Sequence, residues 1–388
     1  MPIINRVAAM HDEVAGWRRD LHAHPELGFE VQRTAGIVAE KLHAFGCDEV
    51  VAGIGKTGVV GIIKGRKTQS GRIMGLRADM DALPILEATG VPYASRTPGT
   101  MHACGHDGHT SMLLGAAKYL CETRNFDGTV CVIFQPNEEG LTGGAAMLAD
   151  RLLERFGIQE FYGMHTWPGT PVGSFGIRPG PLLAAADRFS IEIAGKGAHA
   201  MAPHTSIDPV IVAAQTIMAL QTIASRNTNP LDAIVVSTCM VHAGEAFNII
   251  PERATLTGTV RTLDEKVRNA AEQRLVQLAK STAEAFGATA TVAYERFVPV
   301  TMNDPDKTAL AVKVAREVAG APNVRDDLAP AMGAEDFAHM LKERPGAYIL
   351  IGNGPGSGLH TPGFNFNDQA LPYGISYFAR LVETGMAA

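Results

Sequence analysis

At 388 residues the chain exceeds what one ordinary core holds, so two domains are expected. Apolar residues at 46%, charged residues at 19% and a net charge of −6 fit a soluble globular protein and give no footing for nucleic acid or an anionic membrane. The N-terminus lacks a basic flank followed by an apolar run, no stretch approaches the ~18 apolar residues of a membrane span, and five scattered cysteines form no paired framework; together these point to a reducing cytoplasm.

Residues 5 to 22 carry apolar positions at helical spacing, and Pro25 ends that helix. A second helix, 34–45, stops at Gly46. Two short apolar runs, 58–64 and 72–77, read as strands separated by a turn. Residues 53–58 match GxGxxG, but they precede a strand and open no helix, so the context for dinucleotide binding is missing. Asp79 and Asp81 follow the second strand. Carboxylates two apart point the same way, at the sheet edge where α/β proteins bind ligands; taken alone, the pair reads more simply as a solvated turn.

The segment Met101-His-Ala-Cys104-Gly-His106-Asp-Gly-His109 packs three imidazoles, a thiol and a carboxylate into nine residues. In an extended backbone Cys104 and His106 share one face, as two metal ligands must, although a polar loop with one buried cysteine has the same composition. From about Gly108 a helix runs to Thr123, and 128–134 is a wholly apolar strand suited to a sheet covered on both faces. It ends in Gln135-Pro-Asn-Glu138-Glu139-Gly140, where adjacent carboxylates point in different directions. A helix over 144–155 leads to a strand, 161–168, containing His165. Metal-type side chains thus recur at successive strand ends.

The pattern then changes. Strands at 188–194, 233–242, 254–262 and 289–295, with helices at 209–225 and 265–286, give the order βαββαβ of a ferredoxin-like unit. Residues 183–296 are therefore expected to form an inserted α+β satellite domain. Residues 1–182 plus 297–388 form the α/β catalytic domain, a central mostly parallel sheet flanked by helices. After the insert come helices at 305–319 and 334–341, a strand at 347–351, a glycine-rich loop presenting His360, and a closing helix at 369–383.

Cys104, His106, Glu139, His165 and His360 supply enough donors for two divalent ions sharing ligands. A thiolate among imidazoles favours zinc, with manganese, cobalt or nickel as alternatives. Glu138, beside Glu139, is placed to take a proton from a metal-activated water and return it to a leaving nitrogen.

The motifs RADMDALP (77–84), MHACGHDGH (101–109), QPNEEG (135–140), GMHTWP (163–168), GKGAHA (195–200), GEAFNIIPERATLTGTVRT (244–262), MGAEDF (332–337) and LHTPGFNFND (359–368) resemble the hippurate hydrolase and N-acyl-amino-acid amidohydrolase group of the aminoacylase–carboxypeptidase metallopeptidases, in family order. The resemblance implies metal-dependent hydrolysis of an N-acyl or N-aroyl amino acid, with Cys104, His106, Glu139, His165 and His360 as ligands and Glu138 as general base. It further implies that Asp81 orients the site from behind the ligands. It gives His199 to the oxyanion of the tetrahedral intermediate and Asn248 and Arg261 to the substrate carboxylate. A homodimer through the satellite domain, or a higher oligomer, is also implied. One departure is Met201-Ala-Pro-His204, where the family has a small residue, Met, Pro and His; it bears on the cleft lining. Two other readings remain: a cysteine hydrolase using Cys104 and His106, and a metal-loaded binding protein that has lost catalysis.

Overall fold

Apolar runs bounded by polar turns become buried strands here, and amphipathic runs become the helices that cover them. In the computed structural model, which describes residues 3–388, the chain divides into two compact units. Unit 1 comprises the described residues up to Leu182, Thr301–Ala329 and Glu335–Ala388; unit 2 comprises Leu183–Val300 and Pro330–Ala334.

Unit 1 opens with α1 (Asn5–Ala9), α2 (His11–Ala23) and α3 (Gln32–Phe45). The single N-terminal helix expected over 5–22 is thus two helices, meeting at Met10. Gly46 caps α3 in the left-handed region at φ 83°, which glycine adopts without a Cβ penalty. Next come β1 (Glu49–Ile54), β2 (Gly58–Lys64), β3 (Ile73–Asp79), α4 (His106–Thr123) and β4 (Thr129–Gln135). They are followed by α5 (Gly143–Ala149), α6 (Leu152–Phe156) and β5 (Glu160–Trp167). β1 had no counterpart in the sequence expectations: it is an edge strand with one fully buried residue, Ile54, so no in–out alternation marks it. The helix expected over 144–155 is two short ones, separated where Arg151 takes φ 63°.

The eight-stranded sheet runs β1-β2-β4-β3-β5 and continues through Gly346–Gly352, Phe175–Gly176 and Val324–Arg325. β3 is parallel to β4 and β5, and β5 is parallel to Gly346–Gly352; β1 and β2 form an antiparallel margin. The central strands are buried along nearly their whole length, which is why they read as unbroken apolar runs. The register pairs Asp79 with Gln135 and His165 with Leu350, so the carboxyl ends of β3, β4 and β5 fall along one edge of the sheet. That edge carries the chemistry.

Unit 2 is a four-stranded antiparallel sheet in the order Ile234–Ala243, Arg253–Thr262, Ala185–Ala194, Thr289–Val298. Helices Pro209–Thr222 and Glu265–Ala285 complete the βαββαβ succession. Along the second helix Ala271, Leu275, Ala279 and Ala283 are buried, a stripe of small residues broken by one leucine. Leu275→Ala there is expected to cost roughly 2–5 kcal/mol. Asp208 and Asp264 cap the two helices by accepting backbone N–H bonds in the first turn.

Candidate metal centre

β3 stops at Asp79, and the chain passes Asp81 before looping to Met101, which pairs with Leu83. Cys104 and His106 do not lie on an extended segment as expected. Gly105 between them takes φ 89° as the N-cap of α4, and His106 is already the first helical residue. A Cβ at Gly105 would come within 2.5 Å of the Thr166 methyl, so both the turn and the close approach demand glycine.

Five sequence-predicted side chains nevertheless converge. The donor atoms of Cys104, His106 and His165 lie within 4.8 Å of one another, as do those of Cys104, Glu139 and His360. Two triads therefore share one thiol. Cys104 Sγ is 3.3 Å from His165 Nε2, and His360 Nε2 is 3.4 Å from Glu139 Oε1. His106 Nε2 lies 3.9 Å from both Glu138 Oε2 and Glu139 Oε1.

Carbonyls set the tautomers. His106 Nδ1 donates to the Asp81 carbonyl at 2.8 Å and His165 Nδ1 to the Thr166 carbonyl at 2.7 Å, leaving each Nε2 as a lone pair aimed inward. His106 Nε2 and Glu139 Oε1 are buried with no hydrogen-bond partner among the described residues. Burial pushes the Cys104 thiol well up, and the surrounding carboxylates of Glu139, Glu138 and Asp79 push it further. Orphaned inward-facing donors, a thiol and an excess of negative charge fit divalent cations, which displace the thiol proton on binding.

Asp81 accepts the N–H groups of Glu138 at 3.0 Å and Glu139 at 3.1 Å, so it fixes the turn that carries both carboxylates. Burial raises its pKa, against the bond to His106. Glu138 is 5% exposed. Burial first, then Glu335, Glu139 and Asp336, raises its pKa well above the carboxylate range.

Arg77, Glu335, Asp336 and Tyr348 emerge here without having been singled out in the sequence, while Asp79 and His109, noted there, gain their partners. Arg77 is buried and donates to Gln135 at 3.0 Å, Asp79 at 2.8 Å and Asp336 at 3.0 Å, with Glu335 also at 3.0 Å. Tyr348 donates its hydroxyl to Glu335. Asp336 returns its own N–H toward Glu138 at 3.4 Å. His109 Nδ1 donates to Asp79 at 2.7 Å while its Nε2 accepts the Thr166 N–H at 2.9 Å, so both ring nitrogens are spent behind the donor cluster. The signal for Arg77 was a cation two residues before Asp79 in an otherwise apolar strand; for Glu335 and Asp336 it was the quoted MGAEDF motif.

His199, Asn248 and Arg261 belong to unit 2. His199 and Ile249 are register partners on a two-stranded ribbon, and the Asn248 carbonyl accepts the Ala200 N–H at 3.0 Å, so these two lie side by side and exposed. Arg261 sits on the four-stranded sheet, opposite Ala186 and Val235.

The pattern defining Peptidase family M20/M25/M40 matches residues 75–384. The chain belongs to this family. A hippurate hydrolase from Campylobacter jejuni is 42% identical over 98% of both chains. An N-acetylcysteine deacetylase from Bacillus subtilis is 39% identical over 96% of this chain and 97% of its own. Among solved structures, a dinuclear metal-binding M20 peptidase from Bacillus subtilis superposes with a TM-score of 0.85 at 36% identity, covering 98% of this chain and 99% of that one. In this M20 chain the matched span holds every donor of the two triads.

Proposed function

We propose that this M20 family member hydrolyses the amide of an N-acyl or N-aroyl amino acid through a two-ion site built on Cys104. It is a metal-dependent amidohydrolase, and the reaction releases a carboxylic acid and a free amino acid. The observation that carries the reading is the pair of donor triads sharing one thiol, with Glu138 beside them. We assign Cys104, His106 and His165 to one ion, Cys104, Glu139 and His360 to the other, and zinc as the native metal. Bound there, the ions supply the Lewis acidity that polarises the amide carbonyl and brings the pKa of a water to around 7. Glu138 takes the proton of the attacking water and delivers it to the leaving nitrogen. Asp81 holds the Glu138–Glu139 turn and orients His106. To His199 we assign donation to the developing oxyanion, and to Asn248 and Arg261 the substrate carboxylate.

We further assign the enzyme to the cytoplasm, on its five free thiols, and to a homodimer through unit 2. Strand Ile234–Ala243 is an unpaired edge bearing Met240 and Val241 about half exposed, and helix Pro209–Thr222 exposes Ile211 and Met218. A bare edge beside apolar side chains is the kind of surface a second copy extends.

Chelated protein should not hydrolyse hippurate or N-acetyl amino acids, and stoichiometric zinc should restore turnover. Turnover that survives metal removal, or an acyl group trapped on Cys104, would overturn the assignment. Refilled sites without hydrolysis across an N-acyl amino acid panel would leave a binding protein.

A further inference from the structure

Cys47 and Cys121 are 74 residues apart in sequence, yet their sulfurs are 3.6 Å apart, and neither belongs to a donor group of the metal centre. Cys47 follows the Gly46 cap of α3, with its N–H held by the Leu42 carbonyl at 3.1 Å; Cys121 lies in the last turn of α4. Arg124 pins the two segments together. Its guanidinium donates to the Gly46 carbonyl at 2.8 Å and to Asp48 at 2.7 Å, on either side of Cys47, and to the Lys64 carbonyl at 2.8 Å. The sulfurs therefore meet in a fixed frame, Cys47 half-buried and Cys121 9% exposed.

We propose that Cys47 and Cys121 form a redox-modification site, closed by hydrogen peroxide into a disulfide that clamps α3 to α4. The hydrogen bond from Cys47 leads in holding Cys121 below the ordinary thiol value, with burial opposing and Arg124 assisting; the same bond holds Cys47 above it. Cys121 is accordingly the attacking thiolate. Its sulfur attacks one peroxide oxygen, the O–O bond breaks, and hydroxide leaves with the thiol proton as water, giving a sulfenic acid. Cys47 sulfur then attacks the sulfenic sulfur, the S–O bond breaks, and a second water carries away the oxygen and the Cys47 proton. Two thiols lose two electrons and one peroxide gains them. Cys131 is the internal contrast: it is buried, its sulfur has no sulfur neighbour within hydrogen-bond distance among the described residues, and burial pushes its pKa up to about 12.

The test uses full-length, metal-loaded enzyme, in which Cys104 is engaged. After about two equivalents of peroxide, free thiols are capped with N-ethylmaleimide and the unreduced protein is digested for mass mapping. The expected product is a Cys47–Cys121 linked peptide, 2 Da below the sum of its reduced parts, reversed by dithiothreitol and absent from Cys47→Ser and Cys121→Ser. The oxidised wild type should melt roughly 5 °C higher than the reduced form, since the link closes a long loop. The proposal fails if both cysteines return as maleimide adducts under conditions that oxidise Cys239, a free thiol on the surface, or if Cys121 is found as sulfinic acid beside a free Cys47. The wild-type map needs no variant, and Cys47→Ala at the half-buried position serves if Cys121→Ser does not fold.

Discussion

Each unit buries charge, and the two do it differently. In unit 2 Asp187 accepts Arg268 Nε at 3.0 Å together with Arg268 Nη2, and the Tyr294 hydroxyl at 2.8 Å. Arg268 also donates to the Val298 carbonyl through Nη2 and to Glu265 through Nη1. One buried carboxylate meets one buried guanidinium, and Glu265, half exposed, adds a bond from the rim. In unit 1 Arg77 faces Asp79, Glu335 and Asp336, and Glu138 and Glu139 crowd beside them. There carboxylates outnumber guanidinium. A closed pair is a structural joint; an open excess of negative donors is a socket for cations.

The largest test strikes the socket without emptying it. Glu138→Gln should lower kcat by about 10³-fold while bound metal, measured after gel filtration, stays near the wild-type level. Equal loss of metal and turnover would make Glu138 a ligand. Next comes the joint. Arg268→Met should cost roughly 3–5 kcal/mol in chemical denaturation, because Asp187 is left buried and unpaired, and adding Asp187→Leu should recover most of it. Arg77→Met should cost a similar amount, but no single carboxylate change should restore it, since three acids lose their partner together. If one did, the contrast between the units would collapse.

A smaller effect is written in pH. Burial opposes charge on His22, but its bonds to Asp107 at 2.8 Å and Glu87 at 3.2 Å outweigh that and raise its pKa from 6.5 to about 9. A raised folded pKa stabilises below the unfolded value and loses its contribution as pH climbs through the folded one. Unit 1 should therefore lose about 3 kcal/mol between roughly pH 6.5 and 9, and His22→Gln should flatten that slope. The mildest change is His109→Gln, which cannot hold Asp79 and Thr166 in the same geometry. Metal affinity should fall by about 10–100-fold in chelator competition, with kcat at saturating metal little altered.

The sequence made the parallel sheet and the βαββαβ insert legible because buried strands leave unbroken apolar runs and the insert's helices are long and capped. The two-residue strands escaped, since pairing that short leaves no periodicity, and edge strand β1 escaped because its burial does not alternate. The donors showed as chemistry: Cys104, His106, Glu139, His165 and His360 each stand out from their surroundings. Their supports did not. Arg77 and Asp336 lie 259 residues apart, and His109 differs from His106 only in what its two nitrogens meet. Gly105 hid the local geometry as well, because a left-handed residue turns a spacing that suggests a strand into a helix start.

The insertion between β5 and the strand Gly346–Gly352 has a consequence for how the site is born. Cys104, His106, Glu139 and His165 precede unit 2, whereas His360 and the strand that shields the flank of β5 follow it. At roughly 5–20 residues per second, a ribosome releases the last donor some 10–40 s after His165. Until then the pocket is open along its sheet flank and short of one imidazole. Completion of the centre is thus deferred until the segment after unit 2 has been made, and loading with the full complement of ions waits for that segment.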